Sequence, residues 1–117
     1  MHVDAYEFGQ ITIDGVSYEH DLVIERGTVR KRRKSPSKAR KPEFGHTPLT
    51  AAEEIPWGGR RLWIGTGAHG GLPVADDLRG EARGRGVELL EKPTPEIVRL
   101  INRGLPPGTN VILHLNC

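Results

Sequence analysis

The segment from Arg61 to Glu91 constrains this chain more than any other. A short apolar run, Arg61-Leu62-Trp63-Ile64, stops in the glycine-rich stretch GTGAHGG (65–71). Val74, Leu78 and Ala82 then fall on one helical face, and Val87-Glu88-Leu89-Leu90-Glu91 supplies a second extended run. Strand, glycine loop, helix and strand in this order predict a β-α-β unit, with parallel strands and a right-handed crossover. Gly80 and Gly84 each weaken the helix by roughly 1 kcal/mol relative to alanine, so packing has to hold it. Gly86 suits the left-handed position that ends a helix.

The flanking sequence extends this unit. Thr94 is placed to cap a second helix, with Pro95 at its first position and Glu96 near its positive end. Ile97, Leu100 and Ile101 form its buried stripe, Gly104 stops it, and Val111 to Leu115 reads as a closing strand after the turn Pro106-Pro107-Gly108. Near the start, Ile11 and Ile13 alternate with polar residues, as do Val16 and Tyr18. Asp14-Gly15 between them is a pair favoured in two-residue hairpin turns. Leu22-Val23-Ile24 adds a further strand, and Thr50 with Glu53 has the spacing of a capping box, which Pro56 limits to about one turn. The expected fold class is α/β: a mixed β-sheet with packed helices and an N-terminal β-hairpin. At 117 residues the chain is expected to form a single domain, 1–117.

Charge is distributed unevenly. Arg26 to Lys41 contains nine basic residues and no acidic one, leaving the rest of the chain with 8 basic and 15 acidic residues. With so little apolar content, the stretch RKRRKSPSKARKP (30–42) is expected to belong to an exposed, mobile basic loop spanning about 26–42, and to be the first place trypsin cuts. No aromatic residue interleaves the basic run, so a solvated loop or an acidic protein partner is expected ahead of nucleic acid. No apolar stretch approaches the length of a membrane span, the N-terminus lacks a signal pattern, and Cys117 is the single cysteine. These features lead to the expectation of a cytoplasmic protein that engages no membrane and carries no structural metal.

The loop Gly65-Thr66-Gly67-Ala68-His69-Gly70 spells G-x-G-x-x-G, and Glu91 follows 21 residues beyond Gly70. That is the outline of a dinucleotide-binding fingerprint. Gly71, Leu72 and Pro73 delay the helix, however, and the remaining chain holds too few strands for the full cofactor fold, so no cofactor is expected. Two readings stay open: a turn that lets the strand exit sharply, or a pocket for a small anion or polar ligand built from loop amides and the Thr66 hydroxyl. The loop lacks a lysine that could hold a triphosphate. His114 and Cys117 point to opposite faces if the closing strand continues, which argues against a catalytic pair and predicts a buried, structural Cys117. Asp76-Asp77 and Glu53-Glu54 read as carboxylates favoured near helix starts. His46, within Gly45-His46-Thr47-Pro48, is the histidine set among turn residues.

Four stretches together resemble a known family: the hairpin start, GHTPLT (45–50), LWIGTGAHGGLPV (62–74) with GVELLEKPTPEIVRLIN (86–102), and VILHLNC (111–117). They are similar to the MTH938-like domain family, a domain of unknown function whose relatives include the adipogenesis-associated domain-containing protein and a mitochondrial complex I assembly factor. The resemblance covers nearly the whole chain and implies an α/β sandwich around a mixed sheet. It also implies a ligand pocket near the Gly-x-Gly loop, involving His46, Gly65, Thr66, Gly67 and Thr94. Where relatives have tryptophans followed by arginine, this chain has Lys31-Arg32-Arg33-Lys34, so an aromatic wall is expected to be missing. The functional expectation is a non-enzymatic binding or assembly-assisting module with a protein partner or a small anion as ligand. The alternative is a small-ligand or enzymatic domain using the Gly65–Gly71 loop.

Overall fold

Side chains that alternate across extended strands leave a central sheet with two apolar faces. The computed structural model describes residues 1–117. Strands β1 (Val3–Glu7), β2 (Gln10–Ile13) and β3 (Val16–Tyr18) make an antiparallel three-stranded sheet. Strands β4 (Leu22–Glu25), β5 (Thr28–Lys31), β6 (Arg61–Thr66), β7 (Glu88–Lys92) and β8 (Thr109–His114) make a second sheet in the order β5-β4-β8-β6-β7. β6 runs parallel to both neighbours, whereas β4 is antiparallel to β5 and β8, so the larger sheet is mixed. The helices are α1 (Lys41–Phe44), α2 (Asp76–Arg85) and α3 (Thr94–Arg103), and a 3-10 helix spans Ser35–Arg40.

The period of two sorts the core. Leu22, Ile24, Trp63, Val111 and Leu113 meet Ile97 and Ile101 of α3 together with Val3, Ile11 and Ile13 of the small sheet. Val23, Leu62, Ile64 and Ile112 meet Leu78 and Ala82 of α2 on the opposite face. Each fully buried leucine or isoleucine contributes roughly 1.5–3 kcal/mol relative to exposure. Burial of both faces also explains why β4, β6 and β8 read as nearly continuous apolar runs. The chain leaves β6 through α2 to β7, then passes by α3 to β8 on the other side of β6. Successive connections therefore part at the carboxyl end of β6, the place where open α/β sheets form crevices.

The Asp14-Gly15 hairpin has both central residues at positive φ, 48° and 81°, as the sequence predicts. Several expectations need correction. The basic stretch from 26 to 42 is not a loop: it contains β5, the 3-10 helix and the start of α1, with Arg32 and Ser37 buried. Arg26-Gly27, at φ 50° and 77°, closes a second two-residue hairpin that joins β4 to β5. Thr50 and Glu53 do not start a helix, because Glu53 turns inward to Arg32. Pro93 rather than Thr94 occupies the cap of α3. Val74 precedes α2 and pairs with Leu49 across an isolated bridge.

Candidate functional site

The glycine loop is a socket for Asn116 and Cys117, the residues that follow β8. All six amides from Gly67 to Leu72 donate within the protein: Gly67 N–H to Thr94 Oγ1, Ala68 N–H to Asn116 O, His69 and Gly71 N–H to Cys117 O, Gly70 N–H to Gly67 O, and Leu72 N–H to Thr66 O. No ring of free amides is left to cradle an anion, which overturns the expectation of a pocket lined by those groups. The glycines have a packing reason instead. A Cβ at Gly65 would lie 2.8 Å from Thr94 Oγ1 and 3.0 Å from Leu113 Cδ2, and one at Gly67 would run into the Cys117 backbone. Gly67 also has φ 106°, a backbone conformation that disfavours a side chain. Glu91, which the dinucleotide pattern would reserve for a ribose, makes a two-point pair with Arg79 at 2.9 and 2.8 Å.

Thr94 is fully spent as well. Its buried hydroxyl donates to His114 O at 2.6 Å and accepts from Gly67 N–H at 2.9 Å, tying α3, the loop and the end of β8 together. Thr66 opens into a shallow depression with Gly70, Arg79 and Glu91 on one side of the 70–73 turn. His46 stands on the other side of that turn. The five residues singled out by sequence thus divide: Gly65, Gly67 and Thr94 build the socket, while Thr66 and His46 face different hollows.

A network that the sequence reading missed lies beside His46. Arg32, with its side chain 2% exposed, is gripped by Glu53 through Nε to Oε1 and Nη2 to Oε2, both 2.9 Å. Its Nη1 donates to Asp21 Oδ2 at 2.9 Å, and Nη2 reaches Pro48 O at 3.1 Å. The Ser37 hydroxyl donates to Glu53 Oε2 and pairs with the Thr50 hydroxyl. Asp21 accepts at Oδ1 from Leu115 N–H at 3.0 Å and lies 2.8 Å at Oδ2 from His114 Nδ1. Burial works against the Asp21 charge, but the His114 hydrogen bond, the Leu115 amide and Arg32 outweigh it and hold its carboxyl below the usual carboxylate range. Burial likewise opposes the Arg32 charge, and Glu53 and Asp21 overcome it and push the guanidinium pKa upward.

Two members of the network, Arg32 and His114, line a cleft of about 260 Å³. Its walls come from two directions: Lys34 and Lys41 from the basic segment with His46 and Thr47 just after it, and Gly71 to Pro73 from the turn after β6. His114, Asn116 and Cys117 at the end of β8 complete it, and no acidic side chain lines it. None of the protein's ion pairs involves Lys34 or Lys41. His114 makes one side-chain hydrogen bond, through Nδ1, so Nε2 remains without a partner in the protein. Cys117 is exposed, correcting the expectation of a buried thiol, because β8 ends at His114 and the chain then turns across the glycine loop. That turn also lets His114 and Cys117 line the same cleft, which strand alternation alone would forbid.

No protein-family model matches the chain, and no curated protein matches it. Solved structures do. A conserved hypothetical protein from Pyrococcus horikoshii OT3 is 27% identical, with the whole of both chains covered and a TM-score of 0.82. A structure named MT938 is 25% identical over 99% of this chain and 98% of its own, with a TM-score of 0.71. A Mth938-like domain of Bordetella pertussis, 19% identical over 98% of this chain and 85% of its own, has a TM-score of 0.60.

Proposed function

Because the chain belongs to the MTH938-like domain family, we propose that it is a non-enzymatic binding module whose cationic cleft takes a small anionic group, a phosphate or a carboxylate. The observation that carries this reading is the lining of the cleft: Lys34, Lys41 and two histidines converge there with no acidic side chain among them. Two exposed ammonium groups without carboxylate partners beside one cleft attract an anion that enters it. The elements from β5 to α1 order the backbone that carries both lysines, so less backbone entropy is lost when a ligand arrives.

The surface continues outward through Lys31, Arg33 and Lys38, exposed and outside every ion pair, with Glu54 the one acidic residue beside them. This favours an acidic protein surface as the bearer of the anion and fits an assembly-assisting role in a reducing, cytoplasmic setting. The use of the Gly65–Gly71 loop as an enzymatic cradle loses support because its amides are spent.

Calorimetric titration with sodium sulfate at low ionic strength tests the proposal. Wild-type protein is expected to bind with a Kd of about 1 mM or tighter, close to 4 kcal/mol. The double variant Lys34→Glu/Lys41→Glu should lose binding, and Thr66→Val should keep it. A wild type that takes up no sulfate, or a Thr66→Val protein that alone loses it, would contradict the reading.

A further inference from the structure

Asp21 and Glu53 bring two carboxylates to a site that contains one guanidinium, that of Arg32. The trio therefore carries one net negative charge beneath the cleft. Next to it stands His114, whose Nδ1 is 2.8 Å from Asp21 Oδ2 and whose Nε2 is the free nitrogen of a ring lining the cleft. An imidazolium at His114 balances the trio and donates from Nε2 toward a ligand, and with a carboxylate at Nδ1 the ring cannot easily turn away. Resting on the reading of the cleft as an anion site, we propose that the ligand is a strong oxyanion, of the sulfate or phosphate class, bound together with one proton taken up by His114. Binding then adds the ligand's negative charge and one proton's positive charge to the same small volume, and the proton brings the buried network from one net negative charge to neutral.

The charged and titratable groups that face His114 belong to several elements. Asp21 precedes β4, Arg32 and Lys34 follow β5, Lys41 begins α1, His46 follows α1, and Cys117 follows β8. From β1, the Tyr6 hydroxyl donates to Leu115 O at 2.8 Å, and burial together with the Asp21 charge pushes its pKa up, so it stays neutral. Arg32 stays charged and Tyr6 neutral between about pH 5.5 and about pH 7.5, where histidine ordinarily titrates. His46 is the competing proton acceptor, so the experiment has to separate the two rings.

Sulfate does not titrate in this range, so any pH dependence of its binding belongs to the protein. The expected result is affinity tighter by about tenfold at pH 5.5 than at pH 7.5, the size one added charge at close range supports in a half-solvated site. Calorimetry near neutral pH in two buffers of different ionisation enthalpy should also show proton uptake. His114→Asn keeps a donor near Asp21 but removes Nε2 and the charge, and it should bind sulfate weakly with no pH dependence. His46→Gln should retain the dependence. Should His114→Asn fail to fold, the imidazole nitrogen signals of the wild type decide alone: sulfate must move those of His114 toward the doubly protonated form. Sulfate binding that is equally strong at both pH values, or a proton taken up at His46, overturns the inference while leaving the anion site standing. No sulfate binding at any pH overturns both.

Discussion

Arg32 is the one residue of the basic segment whose charge is buried, and its surroundings show why it is tolerated there. Taking a guanidinium out of water costs several kcal/mol, and two carboxylates with short hydrogen bonds offset that cost. Removing it reverses the balance by leaving Asp21 and Glu53 buried without their counter-charge. The variant Arg32→Met is therefore expected to lose about 3–5 kcal/mol in urea unfolding. A loss under about 1 kcal/mol would mean that the carboxylates find water and that the network is peripheral. The sequence contains no mark distinguishing Arg32 from Lys31, Arg33 or Lys34. Its partners are 11 and 21 residues away, and Thr50 with Glu53 imitates a local helix cap. Local spacing describes what Glu53 could do for its own backbone and is silent on an arginine arriving from another strand.

At the scale of elements, periodicity was a reliable guide where apolar residues set it and a poor one where charge did. The hairpin at Asp14-Gly15, the β6-α2-β7 unit and α3 were legible because buried faces repeat at 2 or about 3.6 residues. Strand β5 was hidden: Thr28-Val29-Arg30-Lys31 has one apolar residue, and its edge position needs no more. The 3-10 helix after it is held from outside, by Ser37 on Glu53 and Thr50 and by Arg40 on Asp77 at 3.1 Å. This attachment has a proteolytic consequence. Glu53→Gln weakens the grip on both Arg32 and Ser37, so trypsin should cleave within 31–41 at least about fivefold faster than in wild type, following the lower cost of local opening. Equal rates would show that the segment opens independently of Glu53. The glycine loop illustrates the opposite error. Its pattern was visible, but its occupant is the segment after β8, some 50 residues later, and only the fold brings that segment to the loop.

The whole molecule follows from a central sheet covered on both faces. With α2 on one side, and α3 and the small sheet on the other, the connections separate at the ends of β6 and β8. The mixed α/β architecture was readable because both crossover strands are apolar and both helices have stripes. The cleft was less so: sequence reasoning reached His46 and the right end of the sheet, but missed Asp21, Arg32, Lys34, Lys41 and the cleft-facing role of His114. Those residues come from four parts of the chain and meet through side chains that no local pattern links. No helix is long and apolar enough to cross a membrane.

The central claim is that an anion sits among the basic segment, the turn after β6 and the end of β8. Following backbone amide signals by NMR while sulfate is added tests it most directly. The account predicts the largest saturable shifts at Lys34, Lys41, His46, Gly71 and His114 to Cys117, with β1 to β3 and the outer face of α2 unmoved. Shifts centred on Thr66 and Gly70 while Lys34 and Lys41 stay still, or small linear shifts spread over every basic residue, would contradict it.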